Sequence, residues 1–172
     1  MVEIAICSRL SVGSLPRHQD SDYFHLTMNE IEFGNNGVTD SLTGAPAPAI
    51  FLERAQSEYF GSRRDGRALS ILSLNSAAHD SQVGEGQIVA LARSIEREIR
   101  GEEFFCRISE EGFWIAFRGE TQAGEILAAR IKSAPLVAQE LWKIAVIESS
   151  RWSTFEHWLH AVDLAHFTIR TH

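Results

Sequence analysis

The spacing of apolar and polar residues along the chain predicts four helices. Apolar residues recur every three or four positions in segments 47–60, 85–100 and 121–132, which is the spacing of amphipathic helices. Ser153 and Glu156 have the spacing of a capping box, so a last helix is expected to begin there. The apolar stripes are Ile50, Phe51, Ala55 and Tyr59; Ile88, Leu91, Ala92, Ile95 and Ile99; Ala123, Ile126, Leu127 and Ile131; and Phe155, Leu159 and Val162.

Segments rich in Leu, Ile and Val predict the strands. Residues 68–74 and 141–148 are expected to be strands, residues 61–66 a charged connection before the first of them, and residues 167–170 a last short strand. Residues 107–117 predict two strands joined by a polar turn, because apolar residues alternate on the outgoing arm. Helices interleaved with strands around a hairpin favour an α+β fold, with a mostly antiparallel central sheet flanked by helices.

The chain is predicted to divide into an N-terminal extension, residues 1–37, and a domain, residues 38–172. Within the extension, residues 2–6 alternate as in an edge strand, and residues 26–33 are expected to form one or two helical turns. No candidate chemistry occurs in this part of the chain. The extension is interpreted as a docking arm for its own domain or as a segment that binds a partner.

Composition and charge narrow the classes of function. The chain has 172 residues, of which 44% are hydrophobic and 23% charged, values typical of one globular domain. A formal net charge of -7 argues against nucleic acid or an anionic membrane as partner. No apolar run has the length of a membrane span and the N-terminal residues lack a basic start, so a cytoplasmic protein is expected. Cys7 and Cys106 fit no metal or redox spacing and are interpreted as buried thiols, with a disulfide left open.

Four ordered motifs between Val38 and the C-terminus resemble the GGDEF domain, the diguanylate cyclase fold related to nucleotide cyclases and polymerase palm domains. Residues 40–46 (Asp-Ser-Leu-Thr-Gly-Ala-Pro) are similar to the family's opening Asp-x-Leu-Thr-Gly-Leu-Pro, and Gly84-Glu85 to its Gly-Asp helix start. Residues 107–113 (Arg-Ile-Ser-Glu-Glu-Gly-Phe) are similar to Arg-x-Gly-Gly-Asp-Glu-Phe, and residues 162–167 to Ala-Asp-x-Ala-Leu-Tyr. The resemblance implies a palm-like fold with a ferredoxin-like core, in a protein of bacterial cyclic di-GMP signalling.

The chain departs from the GGDEF pattern at the catalytic positions. Ser109 and Glu110 replace the two glycines that let the backbone approach the nucleotide phosphates, and Glu111 and Gly112 replace the acidic pair. The family's metal-binding Asp on the first strand corresponds to Ser73 or Asn75, and the alignment between these two stays open. Both are uncharged, whereas magnesium prefers oxygen ligands that include carboxylates. The resemblance therefore implies no catalytic residues and no cyclase activity, with Glu111 as the remaining candidate metal ligand.

A second motif of the family is its inhibitory, product-binding sequence Arg-x-x-Asp, five residues before the signature. Residues 100–103 (Arg-Gly-Glu-Glu) stand at this place. The resemblance implies that Arg100 and Glu103 are candidate ligand-binding residues, since a guanidinium can bind a guanine or phosphate bidentately. The simpler interpretation is that Arg100 interacts favourably with the dipole at the end of its helix.

Three hypotheses follow from these residues. The first is a catalytically inactive GGDEF-like regulatory module without a cofactor, which binds another signalling protein, a second copy of itself or cyclic di-GMP. The second is a divergent nucleotidyl cyclase or nucleotide-binding enzyme that uses Glu110 and Glu111 with magnesium. The third is a scaffold that binds no nucleotide. Nucleic acid and membrane are not expected as partners under any of the three.

Overall fold

The computed structural model of the chain describes residues 36–77 and 83–170. Four α-helices and four strands occur in the described residues. They are α1 (Pro48–Asp65), β1 (Leu69–Ser76), α2 (Glu85–Glu98), β2 (Phe104–Ser109), β3 (Gly112–Arg118), α3 (Thr121–Lys132), β4 (Trp142–Glu148) and α4 (Phe155–Arg170). The predicted strand at residues 2–6 and the predicted helical turns at residues 26–33 lie outside the described residues.

The four strands form one antiparallel sheet in the order β2-β3-β1-β4. At its centre, Ser73 of β1 is opposite Trp114 of β3 on one side and Ala145 of β4 on the other. From β1 to β4 the connectivity is β-α-β-β-α-β, with α2 and α3 packed on the same face of the sheet. This is a ferredoxin-like core, so the predicted α+β fold is confirmed.

Helices cover both faces of the sheet, and each face has its own hydrophobic core. On one face α2 and α3 pack against the sheet, with Leu91 and Ile131 fully buried. On the other face α1 and α4 pack against it, with Phe51 and Trp158 buried. All eight residues of β1 are buried because the strand is central and covered on both faces. The Cys106 thiol lies in the second core and burial raises its pKa, which confirms its interpretation as a buried thiol.

Helix α1 is longer than predicted, and it buries Phe51, Ala55 and Tyr59 of the predicted stripe. Pro48 stands at its first turn, as the sequence indicates, and Gly66 ends it with φ 65°, the left-handed conformation that glycine favours. The prediction of a charged connection at residues 61–66 was therefore wrong for all but Gly66. Ile50 is 45% exposed, so it does not belong to the buried stripe, whereas Ser62 is buried and donates a hydrogen bond to the Tyr59 carbonyl.

The bounds of α3 agree with the prediction, and its buried face agrees in part, since Leu127 and Ile131 are buried as predicted. Ala123 and Ile126 point to solvent, and Gly124 and Ala128 join Leu127 and Ile131 in the interior. A Cβ on Gly124 would lie 2.7 Å from the Phe117 ring, so a residue without a side chain is needed at this close approach. The buried face of α3 is therefore formed by small residues at positions 124 and 128 together with Leu127 and Ile131.

Helix α4 differs from the prediction at both ends. Its N-cap is Thr154, whose hydroxyl oxygen accepts a hydrogen bond from the His157 amide at 3.2 Å, so the cap is one residue later than the predicted Ser153. The strand predicted at residues 167–170 was wrong, because α4 continues to Arg170. A short apolar segment is compatible with a strand or with a helix, and here it forms the last turn of a helix that begins at Phe155. None of the helices in residues 36–77 and 83–170 is both long and apolar enough to cross a membrane.

Candidate functional site

The hairpin between β2 and β3 and the end of β1 form one cluster of polar residues. An ion pair fixes one side of it: Arg107 Nη1 lies 3.1 Å from Asp40 Oδ2, and both side chains are nearly buried. The Arg107 guanidinium also donates to the Glu110 carbonyl at 2.7 Å. Asp40 Oδ1 accepts hydrogen bonds from the amide and the hydroxyl of Thr43. Residues 40–46 and 107–113, two of the quoted motifs, are thereby joined through their side chains.

His166 of α4 joins the opposite side of the cluster. Its Nδ1 lies 2.7 Å from Ser73 Oγ and its Nε2 lies 3.2 Å from Ser109 Oγ. In a neutral imidazole one nitrogen donates and the other accepts, so the two hydroxyls match both ring atoms. The His166 carbonyl accepts a hydrogen bond from the side-chain nitrogen Nδ2 of Asn75 at 3.0 Å. The ring stands edge-on to Trp114, and its placement between two strands and an aromatic ring leaves it only 2% exposed.

Gly112 is needed because the His166 ring packs directly above its backbone. A Cβ built on Gly112 would meet His166 Cε1 and lie 2.7 Å from its Nε2. No side chain larger than hydrogen fits without moving the histidine. The histidine at position 166 can therefore occupy its place only because position 112 is glycine.

The two glutamates of the hairpin have different surroundings. The Glu110 side chain is exposed, and only its backbone carbonyl takes part in the cluster. The Glu111 carboxylate is half-buried, and its Oε1 accepts a hydrogen bond from the Val83 amide at 2.8 Å. The Glu111 carbonyl accepts a second hydrogen bond from the Ser76 amide. Glu111 therefore holds the hairpin to the segment that precedes α2.

This set of donors does not fit a magnesium ion. Magnesium in phosphoryl-transfer sites is held by carboxylates together with the phosphates of the substrate. At the end of β1 the candidate ligands are Ser73 and Asn75, which are uncharged, fully buried and hydrogen-bonded to His166. The half-buried carboxylate of Glu111 in the hairpin accepts a hydrogen bond from a backbone amide. Within the described residues, no group of three or more His, Cys, Asp or Glu side chains has an arrangement that would hold a metal ion.

The second pair of candidate residues, Arg100 and Glu103, lies at the other end of β2. They form a tight turn after α2, in which a Glu103 carboxylate oxygen accepts a hydrogen bond from the Arg100 amide at 2.7 Å. The Arg100 side chain is exposed. A strand of six residues spans roughly 20 Å, so this turn is separate from the hairpin cluster. The structure brings Ser109, Glu111 and Gly112 together, and it does not bring Arg100 to them.

Sequence reasoning missed the Asp40–Arg107 ion pair and the role of His166. Asp40 and Arg107 each belong to one of the GGDEF-like motifs. Their opposite charges were the signal in the sequence for a contact between the two motifs. His166 is the one titratable residue in the apolar stripe that Leu159 and Val162 begin. A polar residue at a core position needs a hydrogen-bonding partner, and serines on the strands, Ser73 and Ser109 among them, were the candidates.

Known structures with the same fold were found, although no protein-family model and no curated protein sequence matches the chain. Diguanylate cyclase SiaD from Pseudomonas aeruginosa, solved with its activator SiaC, aligns with a TM-score of 0.64 at 23% identity over 88% of this chain. This chain spans 65% of the SiaD chain.

The GGDEF domain of YfiN, also called TpbB, from Pseudomonas aeruginosa aligns with a TM-score of 0.64 at 18% identity, over 77% of this chain and 88% of that domain. The GGDEF domain of DgcB from Caulobacter crescentus, solved with cyclic di-GMP, aligns with a TM-score of 0.53 at 14% identity, over 66% of this chain and 77% of the other. The chain has the GGDEF-domain fold.

Proposed function

We propose that this chain is a GGDEF-like regulatory module of bacterial cyclic di-GMP signalling that binds a ligand or a protein and synthesises no cyclic dinucleotide. The fold supports the setting, since the structures that share it include a cyclase with its activator and a GGDEF domain with cyclic di-GMP. The observation that carries the proposal is the hairpin cluster. Ser73 and Asn75 stand at the end of β1, where the resemblance implies a metal-binding Asp, and each is hydrogen-bonded to His166.

The chemistry of the cluster supports binding without synthesis. Cyclisation of a nucleotide by phosphoryl transfer needs metal ions that neutralise the charge developing on the phosphates. Neutral side chains at Ser73 and Asn75 supply no charge for this purpose, and the Glu111 carboxylate bonds to a backbone amide. Exposed Glu110 adds a negative charge at the tip of the hairpin, which repels phosphates. The cluster instead stabilises the hairpin against β1 and α4.

Arg100 is the candidate contact for a nucleotide. Its guanidinium is exposed and forms no ion pair with any described residue, while Glu103 orders the turn around it. A fixed backbone with an unengaged guanidinium suits recognition of a phosphate or guanine edge. Without such a ligand the module acts through protein contact, with another signalling protein or a second copy of the chain as partner.

Calorimetric titration with cyclic di-GMP, GTP and ATP, each with magnesium, tests the proposal. Arg100→Ala is compared with Arg67→Ala, another exposed arginine that makes no hydrogen bond within the described residues. Loss of the charge-assisted hydrogen bonds is expected to weaken cyclic di-GMP binding about 10-fold or more in the first variant, and binding stays unchanged in the second. If none of the three nucleotides binds, nucleotide recognition is excluded and a nucleotide-independent scaffold is the remaining hypothesis.

The competing enzymatic hypothesis keeps one supporting observation, the adjacent carboxylates of Glu110 and Glu111 on the hairpin. It predicts magnesium-dependent turnover of GTP or ATP that disappears in Glu111→Gln. Product analysis after long incubation with each nucleotide decides between the enzymatic hypothesis and the inactive module. Turnover by the unmodified chain, abolished by that substitution, would refute the inactive module.

A further inference from the structure

An open groove runs along one side of α2. It has a volume of about 750 Å³ and lies between α2 and the loop that follows α3, with Leu42 at one wall. Its apolar lining includes Val89 of α2 and Pro135 and Leu136 of the loop. Leu136 is 75% exposed, the largest exposed fraction among the large apolar side chains of the described residues. An apolar surface open to this extent is typical of a binding site.

The charges beside this groove are mostly positive. Arg93 and Arg97 line it on successive turns of α2, and both are exposed. Arg97 contacts Glu98 at 3.4 Å with 62% of its side chain exposed, so the pair leaves it open to a further partner. Glu85 at the start of α2 is the one acidic residue in the lining. The groove therefore suits an occupant that combines apolar side chains with carboxylates.

One segment of the chain outside the described residues has this composition. Residues 20–33 contain four carboxylates and no lysine or arginine. The carboxylates are those of Asp20, Asp22, Glu30 and Glu32. Six large apolar residues stand among them: Tyr23, Phe24, Leu26, Met28, Ile31 and Phe33.

The position and length of this segment match the groove. The described part of the chain starts at Asn36, and six positions later Leu42 already forms part of the groove wall. Glu85 and Arg97, at the two ends of the lining on α2, are separated by roughly 18 Å along the helix axis. Fourteen residues span about 21 Å as a helix and more as an extended chain. Residues 20–33 are thus long enough and near enough to fill the groove of their own domain.

From the groove, its charge and the length of the preceding chain, we infer that residues 20–33 dock on the α2 groove of the same chain. Their apolar side chains cover Val89 and Leu136, and their carboxylates face Arg93 and Arg97. The docked segment is an intramolecular cover over an apolar surface. This goes beyond the proposed module, because it names a surface that a protein partner reaches only by displacing the segment.

Hydrogen exchange of the full 172-residue chain, followed by mass spectrometry, tests the docking. Amides of residues 20–33 are expected to exchange at least about 10-fold more slowly than in an unstructured peptide of the same sequence. Replacing Arg93 and Arg97 together by Glu should remove this protection, and so should Leu136→Asp. The matched control replaces Arg64 and Arg67 by Glu, because these exposed arginines lie outside the groove. Unchanged exchange in β1 checks that each variant is folded.

A charge exchange completes the test. Changing the four carboxylates of residues 20–33 to arginine, in the chain that carries Glu at positions 93 and 97, should restore the protection. Free exchange of residues 20–33 in the unmodified chain would overturn the inference, as would equal protection in the groove variants and the control. Protection that increases with protein concentration would also overturn it, because the segment would then occupy the groove of a second copy.

Discussion

Replacing Asp40 by asparagine removes the negative charge that faces the buried Arg107 guanidinium. The two side chains are 4% and 10% exposed, so Arg107 would keep its charge in a site that excludes water. Breaking a buried ion pair from one side costs about 3–5 kcal/mol. The lower end is expected here, because Arg107 still donates to the Glu110 carbonyl and the amide oxygen of the new side chain still accepts from Thr43. About 3 kcal/mol is a large part of the roughly 5–15 kcal/mol that stabilises a typical domain.

Urea unfolding at pH 7, followed by tryptophan fluorescence, measures this loss. With a denaturant dependence of about 1–3 kcal/mol per molar urea, the midpoint should fall by roughly 1–3 M. Glu98→Gln is the control, since its ion pair with Arg130 is partly exposed and should contribute much less to the free energy of unfolding. Combining Asp40→Asn with Arg107→Met should recover part of the stability, because no charge then stays buried. A midpoint for Asp40→Asn equal to that of the control would refute the reasoning.

Two further substitutions test the packing around the site and in α4. Gly112→Ala should lower the free energy of unfolding by about 1–3 kcal/mol, because its methyl group enters the space of the His166 ring. In a chain that already carries His166→Ala, the Gly112→Ala substitution should cost less than in the unmodified chain in the same urea assay, and an equal cost would disprove the packing account. Burial raises the pKa of Asp163, and His160 partly offsets this, so the charged carboxylate destabilises the fold. Asp163→Asn should therefore raise the melting temperature at pH 7, with the difference shrinking as the pH falls toward about 4; a pH-independent difference would contradict it.

The elements were predictable where local chemistry determines them. Segment 121–132 was identified with its correct ends, since its apolar period is regular and Pro135 follows it. Pro48 marked the start of α1 because a proline suits the first turn of a helix. The α+β class followed from the order of helices and strands. The prediction of a strand at residues 167–170 was wrong because four residues are too few for the apolar period to distinguish a strand from the end of a helix.

The candidate site was less predictable because its contacts join distant parts of the chain. Asp40 and Arg107 are 67 residues apart, and Ser73 and His166 are 93 apart. Apolar periodicity tells which face of an element is buried, but it does not tell which polar residues meet across two elements. The sequence located the hairpin positions, whereas the need for Gly112 became evident only from the position of the His166 ring.

The central place of β1 also determines when the sheet can form during synthesis. Leu69 pairs with Arg118 and Ser70 with Glu148, so both neighbours of β1 leave the ribosome long after it does. Pairing over such separations is slow. Until β4 is available, an eight-residue segment with no charge and no proline stays accessible to other nascent chains. The edges of β1 therefore stay open to wrong pairing for longer than those of a strand that pairs with its immediate successor.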